Sequence, residues 1–270
     1  MRDTLTPDTR SALIRTAHAL ADAARPETLR HFRTGIAAED KGPNAGGRFD
    51  PVTEADRAAE RAMRAVLARE RPQDGILGEE YGAEPGTSGL TWVLDPIDGT
   101  RGYISGTPTW GVLIAVSDPQ GPIYGIIDQP YIGERFCGGL GEASVAGPLG
   151  TSDLRAAPSR PLAEATVLTT FPEIGTPEEH RAFRRVADGA RLVRYGMDCY
   201  GYALLAAGQV DLVIEAGLQP YDVQAPIAVV TAAGGVATDW EGRPAHNGGR
   251  LLAAANPKLH ATAMALLAGR

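Results

Sequence analysis

Apolar residues recur at helical spacing from the start of the chain: Leu13, Ala17, Leu20 and Ala24 fall on one face. That stripe predicts an amphipathic first helix ending near Phe32 and Gly35. The pattern breaks at Lys41–Phe49, a glycine-rich stretch that predicts a mobile loop. Thr53-Glu54-Ala55-Asp56 then has the form of a capping box, and Ala59, Met63, Val66 and Leu67 supply the apolar stripe of a second helix. Beyond Gly89 the period shortens. Thr91–Leu94, Gly111–Ser117, Ile123–Asp128 and Arg135–Gly138 are short apolar runs between turn residues, and they predict strands. Asp118-Pro119-Gln120-Gly121 predicts a reverse turn joining two of them as an antiparallel pair.

The second half alternates more regularly. Strands are predicted at Ala165–Phe171, Arg191–Arg194, Asp211–Glu215, Val236–Trp240 and Leu251–Ala255. Helices are predicted at Pro177–Ala187, Cys199–Ala207, Asp222–Ala233 and Pro257–Leu267. The pattern implies an α/β fold of alternating helix and sheet layers. Residues 1–150 are expected to form an N-terminal half with an antiparallel sheet, and residues 151–270 a C-terminal α/β half. The Gly, Pro, Ser and Ala of Gly147–Pro158 mark the junction, and the halves together make one compact unit.

The bulk composition narrows the chemistry. With 26 Lys+Arg against 33 Asp+Glu, the net charge is −7, and no basic run is present, so a nucleic-acid partner is not expected. The first twenty residues interleave charges with apolar positions, which argues against a signal peptide or membrane span and for a cytoplasmic protein. Cys137 and Cys199 lack a CxxC spacing and are expected as small buried hydrophobes. Neither G-x-x-x-x-G-K-[ST] nor G-x-G-x-x-G occurs, so nothing points to a nucleotide or dinucleotide loop. His18, His31, His180, His246 and His260 show no ligand spacing.

The acidic residues are more informative. In Trp92-Val93-Leu94-Asp95-Pro96-Ile97-Asp98-Gly99-Thr100, an apolar strand delivers two aspartates into a Pro/Gly-bounded turn. Pro96 removes a backbone donor and Gly99 permits close approach, so Asp95 and Asp98 have the makings of hard-cation ligands. An ordinary Asx-type turn would explain either one alone. Glu79-Glu80 follows another apolar run, Ile76-Leu77-Gly78, and by itself reads as a solvated turn. Asp222 precedes an apolar stretch ending at Gly234-Gly235, and Asp56 belongs to the capping box, so either could simply cap a helix. If the segments meet, carboxylates about 5 Å apart at an effective dielectric near 20 repel by roughly 3 kcal/mol per pair. Bound cations would remove that cost and let an acidic protein accept an anionic substrate.

At these residues the chain resembles the inositol monophosphatase superfamily of Mg²⁺-dependent phosphatases. The matching pieces are Pro51-Val52-Thr53-Glu54-Ala55-Asp56, Gly78-Glu79-Glu80, Asp95–Thr100 and Tyr221-Asp222 followed by Gly234-Gly235. The resemblance implies the layered sugar-phosphatase fold, two or three Mg²⁺ ions per site and a homodimer. It also implies that Glu79, Asp95 and the Ile97 carbonyl hold one ion, and that Asp95, Asp98 and Asp222 hold a second. Thr100, hydrogen-bonded to Asp56, would act with Glu79 in activating water, and the Gly99–Thr100 amides would hold the phosphate. Lys41 sits near the position of a family lysine, and Tyr221 replaces a common tryptophan.

Arg101–Gly106, Thr109-Trp110-Gly111 and Asp198-Cys199-Tyr200-Gly201-Tyr202 look most like the histidinol-phosphate phosphatase branch. That likeness places Asp198 and Glu215 beside the organic part of a small phosphorylated metabolite, where both would favour a cationic amine. Against this stand two plainer roles, a helix cap for Asp198 and a strand-end surface acid for Glu215. An inositol 1-phosphatase or related sugar or nucleotide phosphatase is the nearest alternative. A non-catalytic metal- or sugar-phosphate-binding regulator is the alternative of another class, but it would be expected to have lost a ligand or Thr100, and all are present.

Overall fold

A computed structural model describes residues 5–42 and 51–269. The predicted loop from Lys41 to Phe49 therefore lies, beyond Gly42, outside the described residues.

In chain order the described elements begin with α1 (Pro7–His31), β1 (Glu39–Asp40), β2 (Pro51–Val52), α2 (Glu54–Glu70), β3 (Gly75–Gly78), β4 (Gly82–Glu84), β5 (Thr91–Asp98) and α3 (Thr100–Ile104). Next come β6 (Gly111–Asp118), β7 (Gly121–Gln129), β8 (Glu134–Gly139), β9 (Glu142–Gly147) and β10 (Gly150–Asp153). The remainder comprises β11 (Thr166–Thr169), α4 (Pro177–Ala187), β12 (Leu192–Tyr195), α5 (Asp198–Ala206), β13 (Leu212–Leu218), α6 (Pro220–Ala232), β14 (Val236–Thr238), β15 (Gly249–Ala254) and α7 (Pro257–Leu267).

Strands β10-β9-β8-β7-β6-β5-β3-β4 form one sheet, and β12-β11-β13-β15-β14 a second. Strand alternation divides the first sheet between two cores. Trp92, Leu94, Ile114 and Ile126 pack on Leu13, Leu20, Met63 and Leu67 of α1 and α2. Val93, Leu113 and Ile127 face the other way, onto Tyr202, Leu205, Val223 and Val229 of α5 and α6. Leu168, Val213 and Leu251 of the second sheet close that central core. The second sheet's opposite face meets Phe183, Val186, Leu259 and Ala263 of α4 and α7. The result is a mixed α/β sandwich, helices–sheet–helices–sheet–helices, as the alternating pattern predicted.

Local signals account for most element ends. Thr53 and Asp56 form the expected capping box and start α2 at Glu54. β6 and β7 pair antiparallel across the predicted turn, with Asp118 opposite Gly121. Helices α4 and α7 have their predicted bounds. Strand β5 runs four residues past the prediction, through both aspartates, because Pro96 needs no ladder donor at a bulge. Helix α6 starts two residues early: Pro220 occupies its first turn, where a missing N–H costs nothing. Strands β1, β2, β3, β4, β9 and β10 and helix α3 lie outside the predicted set; each has six residues or fewer, too few to show a period along the chain.

Candidate active site

The site forms where strand β5 ends against helix α6. Since Val93 faces the α5/α6 core, Asp95 two residues on points to the same side. Strand β3 runs parallel to β5 with Gly78 opposite Leu94, and the Glu79 amide donates to the Leu94 carbonyl at 3.1 Å. Continuing that register brings Glu79 beside Asp95. The β5–β6 ladder shifts register between Asp95 and Asp98, so the second aspartate leaves strict alternation and turns toward the same cleft.

Asp222 arrives from 124 residues away in sequence, as the difference between positions 222 and 98 shows. It is the third residue of α6, and its Oδ2 accepts the Gln219 amide at 2.7 Å. The plain helix-capping role is thus real, and it coexists with convergence: carboxylate oxygens of Asp95, Asp98 and Asp222 all lie within 4.8 Å of one another. The Asx turn is real too, since the Ile97 amide donates to Asp95 Oδ1 at 3.0 Å. One oxygen of each carboxylate is held by a backbone amide: Asp95 by Ile97, Asp98 by Cys199 and Asp222 by Gln219.

The cluster is electrostatically costly without a cation. Burial, then the charges of Glu79, Asp98 and Asp222, push Asp95 well above the usual carboxylate range. Asp222 is raised by burial and Asp98, with the Gln219 amide opposing. Asp98 is pushed up to about 7, by burial first and Asp198 next. Among the described residues the buried Glu79 Oε2 has no hydrogen-bond partner. Three mutually close carboxylates and an orphaned buried carboxylate oxygen are a donor set suited to a hard divalent cation.

Around this cluster, the Thr100 hydroxyl lies 3.1 Å from the Ile97 carbonyl and 3.5 Å from Asp56 Oδ1. Asp56 accepts from the Thr53 amide and hydroxyl at 2.8 and 2.6 Å; burial nevertheless raises it to about 6. Lys41 places its ammonium 2.9 Å from Glu79 Oε1 and 2.5 Å from Glu80 Oε1. Glu79-Glu80 is therefore no freely solvated turn.

Asp198 and Glu215 form a second acidic group. Asp198 has a left-handed backbone (φ 45°) and leads α5 without capping it, since Met197 is the cap. Its side chain lies against Gly99, where an added Cβ would sit 2.9 Å from Asp198 Cβ. Glu215 is buried, not a surface acid, and accepts the Thr170 amide at 2.6 Å and the Thr169 hydroxyl at 3.1 Å. Burial is the main cause that raises Asp198 to about 6 and Glu215 to about 8.

Two groupings escaped the sequence reading. Glu60 follows Asp56 by one helical turn, a spacing that would have flagged it. His18, Cys137 and Glu142 also bring ligand atoms within 4.8 Å. Arg135, which has no acceptor, lies 3.1 Å from His18 Nδ1; His18 must accept there, and its neutral ring then carries the proton on Nε2. That proton faces Tyr124 and Cys137, so no ring lone pair is left for a cation.

Comparison with known proteins agrees with this geometry. Residues 9–269 match the inositol monophosphatase family. The chloroplastic bifunctional phosphatase IMPL2 of Arabidopsis thaliana is 41% identical over 84% of this chain, which spans 64% of that protein's length. A histidinol-phosphatase of Streptomyces coelicolor is 35% identical over 92% of this chain and 93% of its own. The solved structure of an inositol monophosphatase from Zymomonas mobilis is 38% identical with a TM-score of 0.83, covering 94% of this chain and 97% of that one. With the family matched across nearly the whole chain and the fold shared with its solved members, this chain belongs to the inositol monophosphatase family of phosphoric monoester hydrolases.

Proposed function

We propose that the chain is a Mg²⁺-dependent histidinol-phosphate phosphatase, converting L-histidinol phosphate and water to L-histidinol and phosphate in histidine biosynthesis. The observation that supports the chemistry is the convergence of Asp95, Asp98 and Asp222 within 4.8 Å, beside the unpartnered Glu79 Oε2. Glu79, Asp95 and the Ile97 carbonyl would hold one ion, and Asp95, Asp98 and Asp222 a second. When bound, Mg²⁺ supplies positive charge for the phosphate oxygens and makes water more acidic.

The chain's own groups provide orientation and proton transfer. Thr100 Oγ1 takes a proton from the attacking water and passes its own to Asp56 Oδ1. A carboxyl held at about 6 is matched to that task near neutral pH. The Gly99 and Thr100 amides orient the phosphate, with Gly99 at φ 84° where a side chain is disfavoured.

Charge matching supports the choice of ester. Asp198 and Glu215 are both raised by burial, so a substrate ammonium would restore their ionised forms and be held by them. The similarity to the Streptomyces coelicolor histidinol-phosphatase points the same way. An inositol 1-phosphatase is the competing reading, favoured by the likeness to the Zymomonas mobilis structure. Steady-state kcat/KM on histidinol phosphate, inositol 1-phosphate, fructose 1,6-bisphosphate and adenosine 3′,5′-bisphosphate decides between them; preference for any but the first overturns the assignment. A cytoplasmic homodimer completes the proposal, and light scattering of the purified protein tests its dimeric part.

A further inference from the structure

Glu60 is fully buried on α2, yet its partners lie outside that helix's own hydrogen-bond ladder. Its Oε2 accepts the Glu80 amide at 2.7 Å, and its Oε1 accepts the Tyr81 amide at 3.2 Å. Arg64, one turn further along the helix, reaches Glu60 Oε1 at 2.8 Å, the Gly82 carbonyl at 2.6 Å and Glu84 Oε1 at 2.9 Å. One helix face therefore grips the turn from Glu80 to Glu84. Gly78 is shaped to admit this grip, because a Cβ there would lie 1.9 Å from Glu60 Oε1. Burying a carboxylate beside Glu79 and Glu80 would ordinarily raise the repulsion in an already acidic site; the Arg64 guanidinium offsets it.

We infer that Glu60, neutralised by Arg64 and accommodated by the missing side chain of Gly78, is a positioning residue that sets the backbone of Glu79 for cation binding. The inference rests on the proposal that Glu79 is a metal ligand. The physical reason is that a ligand's affinity depends on how little it must reorganise. Glu79 itself follows a strand end: its own amide donates to the Leu94 carbonyl, and the next two amides, of Glu80 and Tyr81, donate to Glu60.

Isothermal titration with MgCl₂ alone, without substrate, tests this in the full chain. Glu60→Ala is expected to weaken Mg²⁺ binding by about 10–100-fold, and Glu60→Gln by less, since an amide oxygen still accepts. kcat at saturating Mg²⁺ should stay within about threefold of wild type, because Glu60 touches neither substrate nor ion. Gly78→Ala should weaken binding too, and the double variant Glu60→Ala/Gly78→Ala should bind no worse than Glu60→Ala alone. If Glu60→Ala does not fold, Glu60→Gln decides. A folded Glu60→Gln protein with unchanged Mg²⁺ affinity, or with its whole loss in kcat at saturation, overturns the inference. Asp95→Asn serves as the control. If it too binds Mg²⁺ like wild type, the metal site itself is misassigned; if it alone loses binding, only the role of Glu60 fails.

Discussion

The backbone amide of Cys199 donates to Asp98 Oδ2 at 2.6 Å, joining the end of the first sheet's strand β5 to the start of α5. This contact ties a proposed metal ligand to the residue that follows Asp198, on the proposed substrate wall. Asp98→Ala should therefore do two things at once: reduce turnover by about 100-fold or more and speed amide hydrogen exchange at the N-terminal turn of α5. Loss of turnover with unchanged exchange there would show that the link is incidental.

Asp95→Asn separates function from stability. The substitution removes a shared ligand and one member of a repelling buried cluster. Activity should fall by about 10³-fold or more, while melting in EDTA stays unchanged or rises. The Mg²⁺-induced rise in Tm expected for wild type should vanish. Near-normal turnover by a folded variant contradicts the proposed ligand set.

The raised carboxyls give a signed pH dependence. Asp56 and Asp98 sit at about 6 and about 7, above the unfolded value of about 4, so the folded state binds more protons across this window. Their contribution to metal-free stability is present below about pH 4 and is lost as pH rises through 6 to 7. Mg²⁺ competes with those protons, so the stabilisation it confers should grow over the same range. Thermal melts from pH 5 to 8, with EDTA and with Mg²⁺, check both slopes. Metal-free protein that is more stable at pH 8 than at pH 5 would refute the proposed cluster electrostatics.

Substrate choice should respond to the second acidic group. Asp198→Asn and Glu215→Gln are each expected to raise KM for histidinol phosphate by about 10-fold or more, the cost of one lost charge-assisted contact. Hydrolysis of an aryl phosphate that carries no ammonium group should change far less. Equal losses on both esters would place these residues in general support of the fold.

Much of the site was legible before any fold was known. The pairing of Asp95 and Asp98 around Pro96, with Gly99 after them, is local turn chemistry that can be read along the chain. Glu79 was harder, because adjacent glutamates at a strand end look like ordinary surface; its parallel register beside Asp95 and its orphaned Oε2 exist only in three dimensions. Glu60 was missed altogether. Its spacing from Asp56 marked it as sharing a helix face, but nothing along the chain says that the face meets the Glu79–Glu84 turn.

From its linear pattern alone, this chain determined its layered class, helix α2 with its capping box, the bounds of α4 and α7, and the residue types of a carboxylate cluster suited to a cation. These depend on interactions within a few residues, where periodicity and turn geometry act directly. Which carboxylates meet was decided by packing: α6 must bury Val223 and Val229 against the first sheet, and only that docking carries Asp222 to Asp95 and Asp98. Side chains so distant in sequence share no local signal, so their convergence is a property of the folded core.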